Sequence, residues 1–590
     1  MGFREAGIWR YAGSSGAIPG PRPGSIKCLL PFGEAMERQA LLAAVLCLVV
    51  LLGYQEALKY FYPPPPEGVT APETLPSPEV PASDSRGVAG VAPSLPQHAI
   101  EGRIVTIDTD LFTARLTTGG GRIASLQLKK FRTAVAPDSA PLEMIQVAQG
   151  SASPLGVRLA SDDGKVVEDD TQVVYAADHE DLRVSGPRTE SLTLRGTLPS
   201  GVQIEKSLRF SGDAYPIELE IKTSGASEQL QRVGVGWRHQ IVEAVHGDPD
   251  ARYRGTVVLE DKKVIHDLAS SIAISAPKTF EPPVGWVGYA DHYFLAALIP
   301  GEIAQARATV SPEEAGVQLL LSSPRAHGQD ATTRFTVYVG PKDVEVLEAS
   351  GHQLSRAVDF GWFSFLAVPL LRLLKVFHGV TRNYGIDVIL LTILVKVLFI
   401  PLTNRSMKSM RDMQRLQPQM AKLREKFKDD REKLNKEMIE LYRRHRVNPL
   451  GGCLPMLLQF PVFIGLYQAL SQAIELRHAK FAFWVHDLSA HECYPWPGQG
   501  TVTGCNEFAL LGLPIPILVL LMGGSMILQQ YLSPSSGMDP AQQRMMMILM
   551  PVMFTVMFIN FPSGLVLYWL VNNLLTIAQQ WWSNRQTATT

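Results

Sequence analysis

The chain has 590 residues, too many for one compact core, so it should divide into at least two units. Its 55 lysines and arginines nearly cancel its 56 aspartates and glutamates, which excludes a global field drawing it to nucleic acid or to a charged surface. An apolar fraction of 46% with a mean hydropathy of only +0.06 is the average of a polar half and a greasy half, as the order of the residues makes plain.

Residues 1–35, rich in Gly and Pro and without periodicity, are expected to be a non-native or disordered extension, with Met36 as the true start. Segment 36–62 contains a first apolar run, 40–60, about long enough to cross a bilayer and flanked by Arg38. It reads as a transmembrane signal anchor. The competing reading is a cleaved signal peptide, but no small-x-small site follows, and Tyr54, Tyr60, Phe61 and Tyr62 suit a membrane interface. Residues 63–97, dense in Pro, form an extended tether.

From 98 to 351 the apolar period is two. Ile217, Leu219 and Ile221 alternate with polar neighbours, as do Phe335, Val337 and Val339, which predicts an antiparallel β-sandwich. Residues 119–124 match a loose GxGxxA pattern, but Ile123, Leu126 and Leu128 continue in strand register instead of opening a helix, so no nucleotide site is expected.

Segment 360–383 is predicted to be an amphipathic helix with Arg372, Lys375 and His378 on one face, lying along a membrane surface or else packed on the β domain. Segment 384–585 holds apolar runs at 386–402, 450–471, 510–532, 545–561 and 563–581, each close to bilayer length. With the anchor they make six spans. Between the first two of these runs, residues 404–446 carry fourteen Lys and Arg against seven Asp and Glu. Positive loops stay in the cytoplasm, which puts both termini inside and the β domain outside. This loop reads as a charged helical hairpin turning near Asp429 and Asp430, with Pro418 bending its first arm; periodicity leaves open whether it is a docking surface or a solvated spacer.

At the end of that hairpin the chain reads Val447-Asn448-Pro449-Leu450-Gly451-Gly452-Cys453-Leu454-Pro455. Three further stretches stand with it: Leu394-Val395-Lys396-Val397-Leu398-Phe399-Ile400-Pro401-Leu402-Thr403, Phe483-Trp484-Val485-His486-Asp487-Leu488-Ser489 and Phe561-Pro562-Ser563-Gly564-Leu565-Val566-Leu567-Tyr568. In this order they resemble the YidC family of membrane protein insertases, over residues 36 to 585 and most densely after Phe360. The resemblance implies a signal anchor tethering a periplasmic β-sandwich, and a five-helix core enclosing a hydrophilic groove open to cytoplasm and lipid. It implies an insertase and chaperone of the bacterial inner membrane, acting alone or with the Sec translocon, with no cofactor. The implied partners are nascent membrane proteins, the Sec translocon, the ribosome and the lipid bilayer, without nucleic-acid specificity. Many relatives end in a long basic tail. Here residues 583–590 carry only Arg585, so a ribosome contact would fall to the basic hairpin.

By position, the resemblance makes Lys396 the groove's cation, with Thr392 one turn earlier and Gln530, Trp569 and Asn573 as further client-binding residues. The residues themselves point the same way for Lys396, because an ionisable side chain within a span costs roughly 2.5–3.5 kcal/mol and is usually functional. The alternative is that its long stem snorkels to cytoplasmic water. Gln530 and Asn573 could equally be interhelical hydrogen-bond partners, and Trp569 an interfacial anchor. Fifteen of the eighteen methionines follow residue 400, suiting either an adaptable client surface or core filling.

The topology brings Cys493 and Cys505 together in an outer loop, where an oxidising compartment favours a disulfide. No catalytic or metal-ligating set is expected: the chain has no GxxxxGK[ST] loop, and His491-Glu492-Cys493-Tyr494-Pro495 is not HExxH. A transporter is the competing class, although the spans show no internal repeat. A membrane-anchored sugar-processing enzyme is a third, although no catalytic carboxylate pair is evident.

Overall fold

The computed structural model describes residues 102–136, 138–146, 153–241, 253–272, 276–313, 316–326, 328, 330–428, 430–445, 447, 454–494, 505–510, 513–532 and 540–588. The extension 1–35, the anchor 36–62, the tether 63–97 and residues 448–453 lie outside them. By its contacts the chain forms two units, one comprising 85–411 with 450–590 and the other including 412–449.

In the larger unit, the period-two segment folds into five-, nine- and six-stranded sheets. Alternation is the cause: in Pro216–Ser224, Ile217, Leu219, Ile221 and Thr223 are buried and the residues between them face outward. That strand pairs antiparallel with Gln203–Ser211 on one side and Asp330–Pro341 on the other. Val284–Ala290 and Phe294–Pro300 are buried on both faces and read as continuous apolar runs. One pairing departs from the antiparallel expectation. Ile104–Asp108 runs parallel to Asp181–Arg183, a strand of three residues too short to declare its direction in sequence.

Residues 119–121 form the turn between strands Phe112–Thr117 and Arg122–Arg132, with Gly120 and Gly121 at φ +70° and +56°, where a side chain would be strained. Buried Lys206 fixes this turn by donating to the carbonyls of Gly120 (2.8 Å) and Gly121 (3.1 Å). Its charge is met by Asp170 at 2.5 Å, which also accepts from Arg122 (3.2 Å) and Tyr175 (3.1 Å). Every member of this buried cluster is therefore paired.

Helices follow the sheets: α1 (Val344–Ala349), α2 (Ser364–Thr381), α3 (Tyr384–Lys426), α4 (Arg431–Arg444), α5 (Leu454–Gln472), α6 (Ile517–Leu532), α7 (Pro540–Phe558) and α8 (Ser563–Ala588). Among the described residues two helical stretches, Gly361–Thr381 and Tyr384–Lys426, are long and apolar enough to cross a bilayer; Ile517–Leu532 and Met547–Phe558 are apolar but shorter.

The basic stripe of α2 meets carboxylates of the same chain. Arg372 pairs with Glu348 at 3.2 Å, Lys375 with Asp343 at 3.0 Å and Glu475 at 2.7 Å, and His378 with Asp387 at 2.9 Å. Phe365, Val376 and Val380 remain exposed. Sequence alone could not separate a face that meets phospholipid from one that meets carboxylates of the same chain.

In the smaller unit, the residues of α3 from Asp412 onward and α4 make two arms. Asp430 caps α4, its side chain accepting from the Lys433 amide at 3.1 Å. Tyr442 donates to the Met420 sulfur at 3.7 Å, tying arm to arm, and Met413, Leu416 and Met420 are buried. Pro401 and Pro418 lie within the continuous helix α3. Pro418 therefore does not end the first arm, although it removes one donor from the ladder.

Candidate functional site

The helices after Tyr384 are apolar, so their few polar side chains must find one another or water. On α3, Thr392, Lys396 and Asn404 are spaced by four and eight residues and share a face. On α8, Asn572, Thr576 and Gln579 fall at helical spacing and share a face, while Asn573 lies on another.

The two faces meet. Lys396 Nζ donates to Thr576 Oγ1 at 2.7 Å and lies 3.5 Å from Asn572 Oδ1. Thr576 donates in turn to the Asn572 carbonyl at 2.6 Å, so its lone pairs are left for the lysine. Two turns along α3, Gln579 donates to Asn404 at 2.9 Å. Among the described residues no carboxylate lies within ion-pair distance of Lys396. It is a half-buried cation held by neutral oxygens alone.

A second polar link joins α8 to α6. Asn573, almost fully buried, donates to Ser525 Oγ at 3.0 Å, and Ser525 donates to the Met522 carbonyl at 2.6 Å. Two residues from Ser525, α6 and α7 approach so closely that a Cβ on Gly523 would stand 2.2 Å from Thr555 Oγ1.

Trp569 sits in an aromatic cluster with Phe463 (4.9 Å, edge-on), Phe558 (5.4 Å) and Phe554 (6.2 Å). Its indole Nε1 is buried and has no partner among the described residues. Thr392 is buried too, but its hydroxyl donates to the Val388 carbonyl of its own helix at 2.6 Å. Gln530 is half-buried near the end of α6 and joins none of these bonds among the described residues.

At the other end of α6 and α8 the loop that follows α5 is tightly built. Buried Glu492 accepts from the Leu518 and Val519 amides, at 3.0 and 2.9 Å, and from Trp484 Nε1 at 2.7 Å. It thereby satisfies orphan donors at the start of α6. Asn506 accepts from the His486 and Asp487 amides and donates to Ser563, the first residue of α8. Cys493 and Cys505, the chain neighbours of these two residues, are joined as a disulfide with Cα atoms 5.2 Å apart.

Two family models match the chain, 60Kd inner membrane protein over residues 376–590 and YidC periplasmic domain over 104–373. The membrane protein insertase YidC of Geotalea daltonii is 39% identical over 564 residues, spanning 93% of this chain and 99% of that one. The chain belongs to the YidC family of membrane protein insertases. The YidC of Geobacter sulfurreducens is also 39% identical, over 566 residues that cover 94% of this chain and 99% of its own. A solved active YidC insertase with its first transmembrane domain resolved is 16% identical, covering 82% of this chain and 94% of its own at a TM-score of 0.34.

In this member of the family, then, the sheets belong to the periplasmic-domain region and the polar seam to the membrane core, and a transporter is not favoured. Of the residues singled out from sequence, the structure sets Lys396 against Asn572 and Thr576 of α8, and Asn573 against Ser525 of α6. Trp569 lies on α8 among aromatic rings, Thr392 bonds within its own helix, and Gln530 stands apart. Sequence reasoning passed over Asn572, Thr576, Ser525, Asn404, Gln579, Glu492 and Asn506. The signal that could have found the first two was their helical spacing within the apolar run 563–581.

Proposed function

We propose that the seam at Lys396 is the wall of a client-binding groove through which this chain assists the insertion and folding of inner-membrane proteins. Six spans carry it, with both termini and the hairpin 404–446 in the cytoplasm and the β domain in the periplasm. An insertase needs no catalytic group: a wet groove lowers the cost of moving a client's polar end into the membrane, and burial of its apolar helix in lipid drives release. The observation that carries the reading is the state of Lys396, a cation within the helix assembly that no carboxylate neutralises among the described residues. Such a charge attracts an acidic or polar client segment transiently, and neutral oxygens hold it without cancelling it.

Nascent membrane proteins are the clients in this reading, the Sec translocon is a co-worker, and the basic hairpin is the ribosome's contact. Cys493 and Cys505 pair in the cell because their loop faces an oxidising compartment. Free thiols at both positions in protein isolated without reductant would count against that placement.

The test compares insertion of clients with neutral and acidic outer segments, read by protease accessibility, in cells relying on Lys396→Arg, Lys396→Ala or Lys396→Glu at matched levels. Arginine should keep activity, alanine should impair it, and glutamate should impair acidic clients most. Parent-like insertion of both client types by the alanine and glutamate variants overturns the groove-charge mechanism.

A further inference from the structure

The β domain holds a second partly buried cation, Arg158, that has no carboxylate within ion-pair distance among the described residues. Strand Gly156–Ala160 of the six-stranded sheet pairs with Arg232–Gln240, which pairs with Gly316–Pro324, setting Gly156 opposite Gly236, Gly236 opposite Leu320, and Arg238 opposite Gln318. Above Gly236 lies a depression of about 20 Å³ lined by Arg122, Arg158, Arg238, Asp169 and Gln318. Two glycines make the space. A Cβ on Gly156 would stand 2.2 Å from Arg122 Nη1, so only glycine admits that guanidinium, whereas a Cβ on Gly236 would make ordinary van der Waals contact with main-chain oxygens at 3.7 and 3.9 Å and would fit without a clash.

The three guanidiniums differ in their partners. Arg122 is paired with Asp170 and Arg238 with Glu313 at 2.8 Å. Arg158 has no carboxylate within ion-pair distance among the described residues, and its Nε is buried without a hydrogen-bond partner. Asp169 faces it across the strand pair beyond ion-pair distance, attracting it without a hydrogen bond, and one of its oxygens accepts from the Thr171 amide at 2.9 Å. A buried donor left unmade costs about 1–3 kcal/mol, more on a charged group, and a guanidinium fork matches an oxyanion best.

We propose that this depression binds a single small oxyanion group, a carboxylate or a phosphate, with Arg158 as its principal donor. The space sets the class of ligand: roughly 10–15 Å³ holds one water, so the depression accepts one charged oxygen group and excludes a sugar ring. The carboxylate has two sources, a free anion or an acidic side chain of a polypeptide.

The experiment uses the full chain in detergent and follows line broadening of ¹³C-acetate and of inorganic phosphate, with acetamide as the neutral control and an acetylated peptide bearing one glutamate as the polypeptide arm. Acetate or phosphate should bind and acetamide should not. Arg158→Gln should weaken binding tenfold or more, and so should Gly236→Ala, which fills the floor without a clash. A peptide binding tenfold tighter than acetate marks the ligand as a polypeptide; equal affinities mark a free anion. Melting curves confirm that each variant is folded. If neither anion binds the parent more tightly than Arg158→Gln, or if both folded variants bind like the parent, the site is refuted. Insertion by Lys396 variants is a separate readout, so failure here leaves the groove untouched.

Discussion

Lys396 on α3 and Thr576 on α8, 180 residues apart in sequence, are joined by a 2.7 Å hydrogen bond in which the threonine's own proton is already committed to the Asn572 carbonyl. The lysine is thereby aimed at a fixed acceptor, and this hydroxyl ties the two helices at the level of Lys396, as Gln579 and Asn404 do two turns along.

Thr576→Val keeps the shape and removes that acceptor. A buried charged donor left short of one partner costs about 1–3 kcal/mol, so the variant should melt at a lower temperature in detergent, while Thr576→Ser should melt like the parent. Adding Lys396→Met should make the valine nearly neutral, because the donor it stranded is gone. Additive losses in the double variant would show that the bond is not what couples the helices.

Gly523 predicts a rescue. With a Cβ at 2.2 Å from Thr555 Oγ1 and 3.3 Å from Thr555 Cβ and Cγ2, Gly523→Ala should part α6 from α7, at about 1–3 kcal/mol for an overpacked contact. Removing the hydroxyl in Gly523→Ala with Thr555→Ala should restore most of the loss in a thermal melt. Thr555→Ala alone should be mild, since its hydroxyl bonds only the Pro551 carbonyl of its own helix among the bonds in view.

The β domain should weaken in acid. Burial pushes the His239 imidazole down to about 4, and its ring stacks on Tyr289 at 3.9 Å. An unfolded histidine takes its proton near 6.5, so between these values the unfolded state binds more protons and stability falls as the pH drops from 6.5 toward 4. The loss attributable to this residue is about 3 kcal/mol at most, complete by pH 4. Burial also lowers His266, which adds in the same direction. Hydrogen-exchange protection in strand Arg232–Gln240 of the full chain, taken relative to the intrinsic exchange rate at each pH, should fall between pH 7 and 4.5, and His239→Phe should remove part of that pH dependence. An unchanged pH profile in the variant would assign the acid sensitivity elsewhere.

Some of this architecture could be read directly from residue order. The alternation at Ile217, Leu219 and Ile221 specifies one buried face, and a register slip would bury their polar neighbours instead, so the strand was legible. Lys396 stood out because charge in an apolar run is costly. Its partner did not, since Thr576 reaches it only through the rotation of α8 against α3, a packing result that no local pattern encodes. Thr392 shows the converse, as a hydroxyl on the right face was satisfied by the carbonyl four residues back. The stripe of Arg372, Lys375 and His378 was visible as a face, but its carboxylate partners come from α1, from Glu475 beyond α5 and from the first turn of α3.

That stripe yields the last prediction. Lys375 lies between Asp343 at 3.0 Å, Glu345 at 3.4 Å and Glu475 at 2.7 Å, and the Glu475 side chain is only 10% exposed. It joins the helix that closes the β domain to the turn after α5, beside two other ties: His292 Nε2 lies 2.6 Å from the Ser471 carbonyl, and Arg477 donates to the Arg132 carbonyl at 2.9 Å. Removing one partner of a buried ion pair costs about 3–5 kcal/mol because the other charge is left uncompensated, whereas replacing both can be nearly neutral. Lys375→Met should therefore destabilise strongly, exposing residues 351–363 to protease, and Lys375→Met with Glu475→Gln should recover most of the protection. Asp343→Asn should do less than Lys375→Met, since Glu475 still holds the lysine, although it also weakens the cap of α1, where Asp343 accepts from the Glu345 amide at 2.8 Å. If the double variant is cleaved as fast as Lys375→Met, the stranded charge of Glu475 is not the source of the loss, and the lysine acts through the packing of its stem.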